Sequence, residues 1–262
     1  MTTSHGGYTL SVSPEASLRA YYRALIGAWG AQDWWPARTR FEVIVGAFLT
    51  QNTAWINVER ALANLRQAGV LSVAGIRRTP QRRLEGLVRP AGYFRQKAQR
   101  LKSFVRHLDS CYGGSLARMF ARPTAELRAD LLALHGVGPE TADAILLYAG
   151  GHASFVVDAY TRRILERHGL IDGKASYEGV RELFERALGD EPAPLPPVVT
   201  RNPEPEPRNS PARSPKLVIP QAPPTAQVYN ECHALLVRAA KHHCLKKQAQ
   251  CGGCPLEPFL PH

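Results

Sequence analysis

"LHGVGPETADAILLYAGGHASFVVDAYTRR", residues 134–163, places Gly136 and Gly138 two apart, directly ahead of an apolar helical run. Glycine enters left-handed backbone at little steric cost, so "GVG" fits a tight turn with positive φ between two helices. Val137 between the glycines is placed to plug that turn into the core. Pro139 suits the first helical position, where its missing N–H costs nothing. The first-turn N–H groups of such a helix, together with the turn, form a site for a phosphate. The spacing therefore predicts a helix–hairpin–helix over about 125–149, gripping a nucleic-acid backbone without reading bases. A plain connection between bundle helices is the competing reading of "GVG" alone. Asp158, after "GGHASFVV", is a good N-cap for a helix beginning at Ala159.

Outward from the hairpin, apolar residues recur at three- and four-residue spacing, as at Leu127, Leu131 and Leu134, and period-two alternation is not evident. Helices are expected at 14–29, 38–50, 55–68, 80–88, 94–110, 125–134, 139–149, 159–168 and 177–188, so the fold class is all-α. Residues 191–227 carry prolines too densely for helix or ladder and read as an extended linker. A helical pattern resumes at "VYNECHALLVRAAKHHC".

The chain has 262 residues, 44% of them hydrophobic, which is ordinary for a globular protein with ample core. Its formal charge of +11 favours a polyanionic partner, nucleic acid or an anionic surface. No apolar run is long enough to span a bilayer, and the N-terminus lacks a secretory pattern. A cytoplasmic setting is expected, nucleoid-associated in a bacterium. Four of five cysteines crowd between 232 and 254, a distribution that suggests metal ligation more than disulfides in such a setting.

The order Leu134, Gly136, Val137, Gly138, Thr141, Ala142, then Val157 and Asp158 resembles the endonuclease III superfamily of DNA glycosylases. The resemblance covers about 15–190 and 228–260. It implies two interleaved helical lobes. Residues 32–152 would form a six-helix barrel ending in the hairpin; 1–31 and 153–262 would form the second lobe, with DNA across the cleft. It implies that Asp158 is catalytic, its carboxylate stabilising the oxocarbenium-like sugar or orienting the attacking water as the N-glycosidic bond breaks. Family members that also cut the strand carry a lysine in the first turn after the hairpin, and its amine forms a Schiff base. That position here is Glu140, which cannot form the imine, so a monofunctional glycosylase leaving an abasic site is expected. Glu140 and Asp143 otherwise read simply as acidic residues favoured at a helix N-terminus.

Within the superfamily, Trp34, Trp35 and Pro36, then Leu49 to Thr53, then Trp55, look like the 3-methyladenine glycosylase branch. Trp34, Trp35 and Trp55 would stack a flipped cationic base, and Gln51 would fill the gap left in the duplex. Trp29 reads as core. "GYFRQKAQRLKSF" (92–104) resembles a further family segment, with Lys97 read as a phosphate contact or a solvated helix residue. Cys244, Cys251 and Cys254, spaced C-x₆-C-x₂-C, resemble the family's [4Fe–4S] ligands, with Leu260 where the fourth cysteine belongs. Cys232 reads as a poor substitute for it; His262 or an exogenous ligand are the other options. Lys246 and Lys247, with Arg238 and Lys241 nearby, match the basic loop that meets DNA. The partner implied is double-stranded DNA with damaged bases, bound by a monomer. Two alternatives stand beside alkylated-purine removal. One is a glycosylase for oxidised pyrimidines or mismatched bases with lyase activity; the other is an inactive DNA-binding homologue.

Overall fold

The computed structural model describes residues 13–32, 37–193 and 222–261. Twelve α-helices run in order: α1 Pro14–Trp29, α2 Arg40–Thr50, α3 Trp55–Gln67, α4 Val73–Arg78, α5 Gln81–Val88, α6 Phe94–Tyr112, α7 Leu116–Phe120, α8 Thr124–Leu132, α9 Pro139–Ala144, α10 Ala159–Arg167, α11 Tyr177–Leu188 and α12 Pro224–His242. No β-strand forms among the described residues, so the protein is all-α. No helix among them is long and apolar enough to cross a membrane.

The caps are written in the sequence. Ser13, Thr39, Ser72, Ser115, Asp158 and Ser176 each accept an N–H from the first turn they precede, each such cap being worth about 1 kcal/mol. α4 and α7 were not expected from periodicity. At six and five residues they are too short to show it, and their serine caps are the only signal. α12 begins at Pro224, inside the stretch read as linker, because proline at the first helical position sacrifices no bond.

α2 is buried without interruption from Phe41 to Leu49, as a helix at the centre of a bundle must be. It packs on α3, on α6 and on the segment continuing α9. α1 lies against α11 and α12, and α10 against α12, so the first helix and the last share one layer. Past Ala144 the chain widens into π-type turns over Ile145–Gly150, a local irregularity that recurs at functional sites. Tyr148 lies on that stretch.

Candidate active site and DNA-facing hairpin

The turn between α8 and α9 divides labour between its glycines. Gly136 has φ +81, so its backbone demands glycine, and a Cβ there would press on the end of the Arg100 side chain. Gly138, expected to share the positive φ, is extended at −95 and caps α9. Nothing lies within 4 Å of where its Cβ would be, which leaves its backbone open to a close approach. Val137 is buried in the core, about 1.5–3 kcal/mol of burial that pins the turn.

Gln51 is fastened to this turn. Its Nε2 donates to Gly136 O at 3.0 Å and to Thr141 Oγ1 at 2.9 Å, and its Oε1 accepts from Arg100. One side chain thus ties α2, the hairpin and α6 together. Asn52 beside it has φ +52 and Tyr93 has φ +44, left-handed backbone that disfavours side chains. Tyr93 is 66% exposed; a strained, exposed aromatic is a functional signal that periodicity does not carry. Lys97 is neither a phosphate contact nor a solvated residue: it is buried, and Nζ donates to Leu49 O at 2.9 Å and Ala91 O at 2.7 Å. Trp55 opens α3, partly buried against the core. Trp34, Trp35 and Pro36 lie outside the described residues.

Asp158 caps α10, its Oδ1 accepting the Thr161 N–H at 2.8 Å. Its Oδ2 is 3.4 Å from Nε2 of His233, and His233 Nδ1 is hydrogen-bonded to the Tyr148 hydroxyl. Burial alone would raise the Asp158 carboxyl, but His233 and the Thr161 groups outweigh it and hold the acid below the usual carboxylate range. Glu140 points from the first turn of α9 into the same neighbourhood. Its carboxyl is raised, chiefly by loss of solvation and next by the Asp158 charge. Glu140, exposed at the start of α9, and Asp158, mostly covered, thus lie near enough for one charge to be felt by the other. Neither Tyr148 nor His233 stood out in the sequence, because they reach Asp158 from distant parts of the chain.

Asp143, three residues past Glu140, is not a solvated helix-start acid. It is fully buried, gripped by Arg128 at 2.7 and 3.1 Å and by the Ser154 hydroxyl at 2.7 Å. Arg128 also donates to Glu178. The network bolts α8, α9 and α11 together behind the hairpin.

At the C-terminal end, Cys244, Cys251 and Cys254 line one cavity of about 40 Å³ with Arg167, His168 and Leu260. Thiolates are the donors an iron–sulfur cluster takes, yet the set does not fit a four-thiolate cluster. Leu260 occupies the fourth side, and no three His, Cys, Asp or Glu among the described residues come together as a ligand set. Arg167 instead donates to Cys244 Sγ at 3.3 Å. Cys232 is buried in α12, outside this lining, and His262 lies beyond the described residues. Lys246 and Lys247 are exposed on the loop that Arg163 and Arg167 hold by the carbonyls of Cys244, Leu245 and Lys246. Arg238 lies over the Trp29 ring and donates to Gln32. Trp29 is partly buried, sandwiched between Arg238 and His243. A surface hollow of about 480 Å³ beside Cys111, Arg118 and Arg122 contains none of these residues.

Comparison with known proteins fits this geometry. The family described as HhH-GPD superfamily base excision DNA repair protein matches residues 45–189. A protein of Methanocaldococcus jannaschii provisionally named a DNA repair glycosylase is 40% identical over 240 residues, 91% of this chain and 93% of that one. Among solved structures, the H. pylori 3-methyladenine DNA glycosylase MagIII bound to 1,N6-ethenoadenine is 26% identical. It superposes with a TM-score of 0.66 over 88% of this chain and 98% of its own. A non-covalent endonuclease III–DNA complex, at 18% identity and a TM-score of 0.67, covers 94% of each chain and shares the fold.

Proposed function

Because the chain belongs to the HhH-GPD superfamily of base excision DNA repair proteins and is a DNA glycosylase of that fold, we propose that it removes alkylated purines, 3-methyladenine foremost, and leaves the strand uncut. The observation that carries this reading is a carboxyl, Glu140, in the first turn of α9, near enough to Asp158 for that charge to raise it. Glu140 stands where a strand-cutting relative needs an amine, and a carboxylate cannot form the imine with the opened sugar. An alkylated purine is cationic, so it is attracted to the Asp158 carboxylate and leaves as a neutral base without a strong acid. Water then supplies hydroxide to the sugar and gives up a proton. Asp158, held ionised, stabilises the positive sugar as the bond breaks. Exclusion of a lyase step is part of the proposal.

Duplex DNA lies across the hairpin in this reading. The backbone at Gly136 to Gly138 takes a phosphate, and Lys246 and Lys247 take others. Gln51 is held at the hairpin's edge, where it fills the space of the extruded base. Tyr93 offers an exposed ring for stacking against an unstacked base. Trp55, with Trp34 and Trp35 from the segment outside the described residues, supplies the aromatic walls.

The test is base release from duplexes carrying 3-methyladenine or thymine glycol, assayed with and without alkali. Release of the alkylated base, with strand breaks only after alkali, is expected. Direct nicking at thymine glycol would overturn both the substrate and the monofunctional assignment. DNA binding without release of either base would favour the inactive homologue.

A further inference from the structure

Asp158, His233 and Tyr148 come from three separate parts of the chain: the cap of α10, the middle of α12, and the widened turns after α9. All three are withdrawn from water. The side chains of His233 and Asp158 are 6% and 14% exposed, and Tyr148 is buried. Phe155 stands edge-on to the imidazole, 6.4 Å away at 84°. Inside such an apolar wall a close polar contact is not exchanged for water.

The proton positions follow from what each partner can do. An ionised carboxylate only accepts, so the imidazole nitrogen facing Asp158 carries the proton. In the neutral ring the opposite nitrogen is then an acceptor, to which the Tyr148 hydroxyl donates. Tyr148 keeps its proton: burial, then the nearby Asp158 charge, pushes the phenol well above its ordinary value. The other titratable groups around the relay are Glu140 from α9 and Glu231 and Cys232 from α12, all of which add negative charge or none. What offsets the burial of Asp158 is His233 together with the Thr161 groups of the α10 cap.

We propose that His233 is the positioning residue of Asp158, holding the carboxylate ionised and aimed, with Tyr148 fixing which imidazole nitrogen bears the proton. α12, reached only after the proline-rich segment, then serves the chemistry as well as the fold. This rests on Asp158 being the catalytic carboxylate, and not on which base is removed.

The experiment measures single-turnover base release across pH for the wild type, His233→Ala, His233→Gln and Tyr148→Phe, on whichever damaged base the wild type releases. His233→Ala is expected to slow release about tenfold or more at neutral pH and to move the acid limb up by about one unit or more, because a buried carboxylate has lost its partner. His233→Gln keeps an N–H for Asp158 and restores most of the neutral rate while the acid limb stays raised. Tyr148→Phe shows the same direction with a smaller effect. A folded His233→Ala or His233→Gln protein with the wild-type rate and acid limb would overturn the proposal. So would a slowed rate with an unmoved limb, the mark of a merely structural role. If His233→Ala fails to fold, His233→Gln decides. A substrate-free reading accompanies these: the imidazole ¹⁵N–¹H correlations of wild type and Asp158→Asn. A His233 signal that shifts on Asp158→Asn supports the relay even where 3-methyladenine is not released, in which case only the substrate assignment falls. A signal indifferent to Asp158→Asn ends the proposal whatever base the enzyme takes.

Discussion

Arg128 holds Asp143 through two hydrogen bonds, of 2.7 and 3.1 Å, and Asp143 is fully buried on the inner side of the hairpin's second helix. Removing one partner strands a charge in the core, which costs about 3–5 kcal/mol, while replacing both by apolar residues of similar size is often neutral or better. Arg128→Met and Asp143→Leu are therefore each expected to lower stability by several kcal/mol, and the double variant to recover most of it. Urea titrations of the four proteins measure this. Additive losses in the double variant would show that the pair is not a closed unit.

Lys97 places an ammonium in the core between two carbonyls. Burial first, and the Arg100 charge second, push its pKa down to about 8. The folded value therefore lies below the unfolded value of about 10.4. The charged form is the disfavoured one in the fold, so Lys97 costs stability below the folded pKa, and the cost fades as pH rises from about 8 towards 10. The gap corresponds to at most about 3 kcal/mol. Relative to Lys97→Met, the wild type should gain stability between pH 7 and pH 10. Denaturant midpoints for both proteins at the two pH values check the sign, and a constant difference would refute it.

Much of this was legible in the sequence, for a physical reason. Helices and caps are local, and spacing along the chain reports them: Ser13 and Asp158 cap where a capping residue precedes a helical run. The hairpin's Gly136 and Val137 are equally local. What was not legible depends on contacts across long separations. Lys97 looks solvated in "GYFRQKAQ" until Leu49 O and Ala91 O are seen to meet it. Asp143 looks like a dipole-favoured helix-start acid until Arg128 and Ser154 surround it. His233 and Tyr148 stand 85 residues apart, and no periodicity carries that pairing.

Lys246 and Lys247 lie exposed on a loop whose carbonyls are clamped by Arg163 and Arg167, so their ammonium groups are presented from a fixed base. If each neutralises one phosphate, replacing both by alanine should reduce the slope of log affinity against log salt by about 2. Base release at saturating enzyme should change little, since neither lysine is part of the Asp158 recess. Binding isotherms on an abasic-site duplex at several salt concentrations make the measurement. An unchanged slope would remove both lysines from the interface.

Leu260 lines the cavity with Cys244, Cys251 and Cys254 and puts an apolar side chain where a fourth thiolate would stand. Hydrogen bonds within the protein hold the surrounding loop: Arg167 donates to Leu245 O and Lys246 O, and Gln250 N–H donates to His243 O at 2.8 Å. The wild type, reconstituted anaerobically with iron and sulfide, is therefore expected to lose its iron on desalting in air and to stay folded. Leu260→Cys supplies the missing donor and should retain about four irons per chain with the visible absorbance of a [4Fe–4S] centre. Iron analysis and absorbance of the two proteins side by side decide the point. A wild type that keeps a full complement of iron would mean another donor completes the set. His168, already on the cavity wall, would then be the first residue to replace.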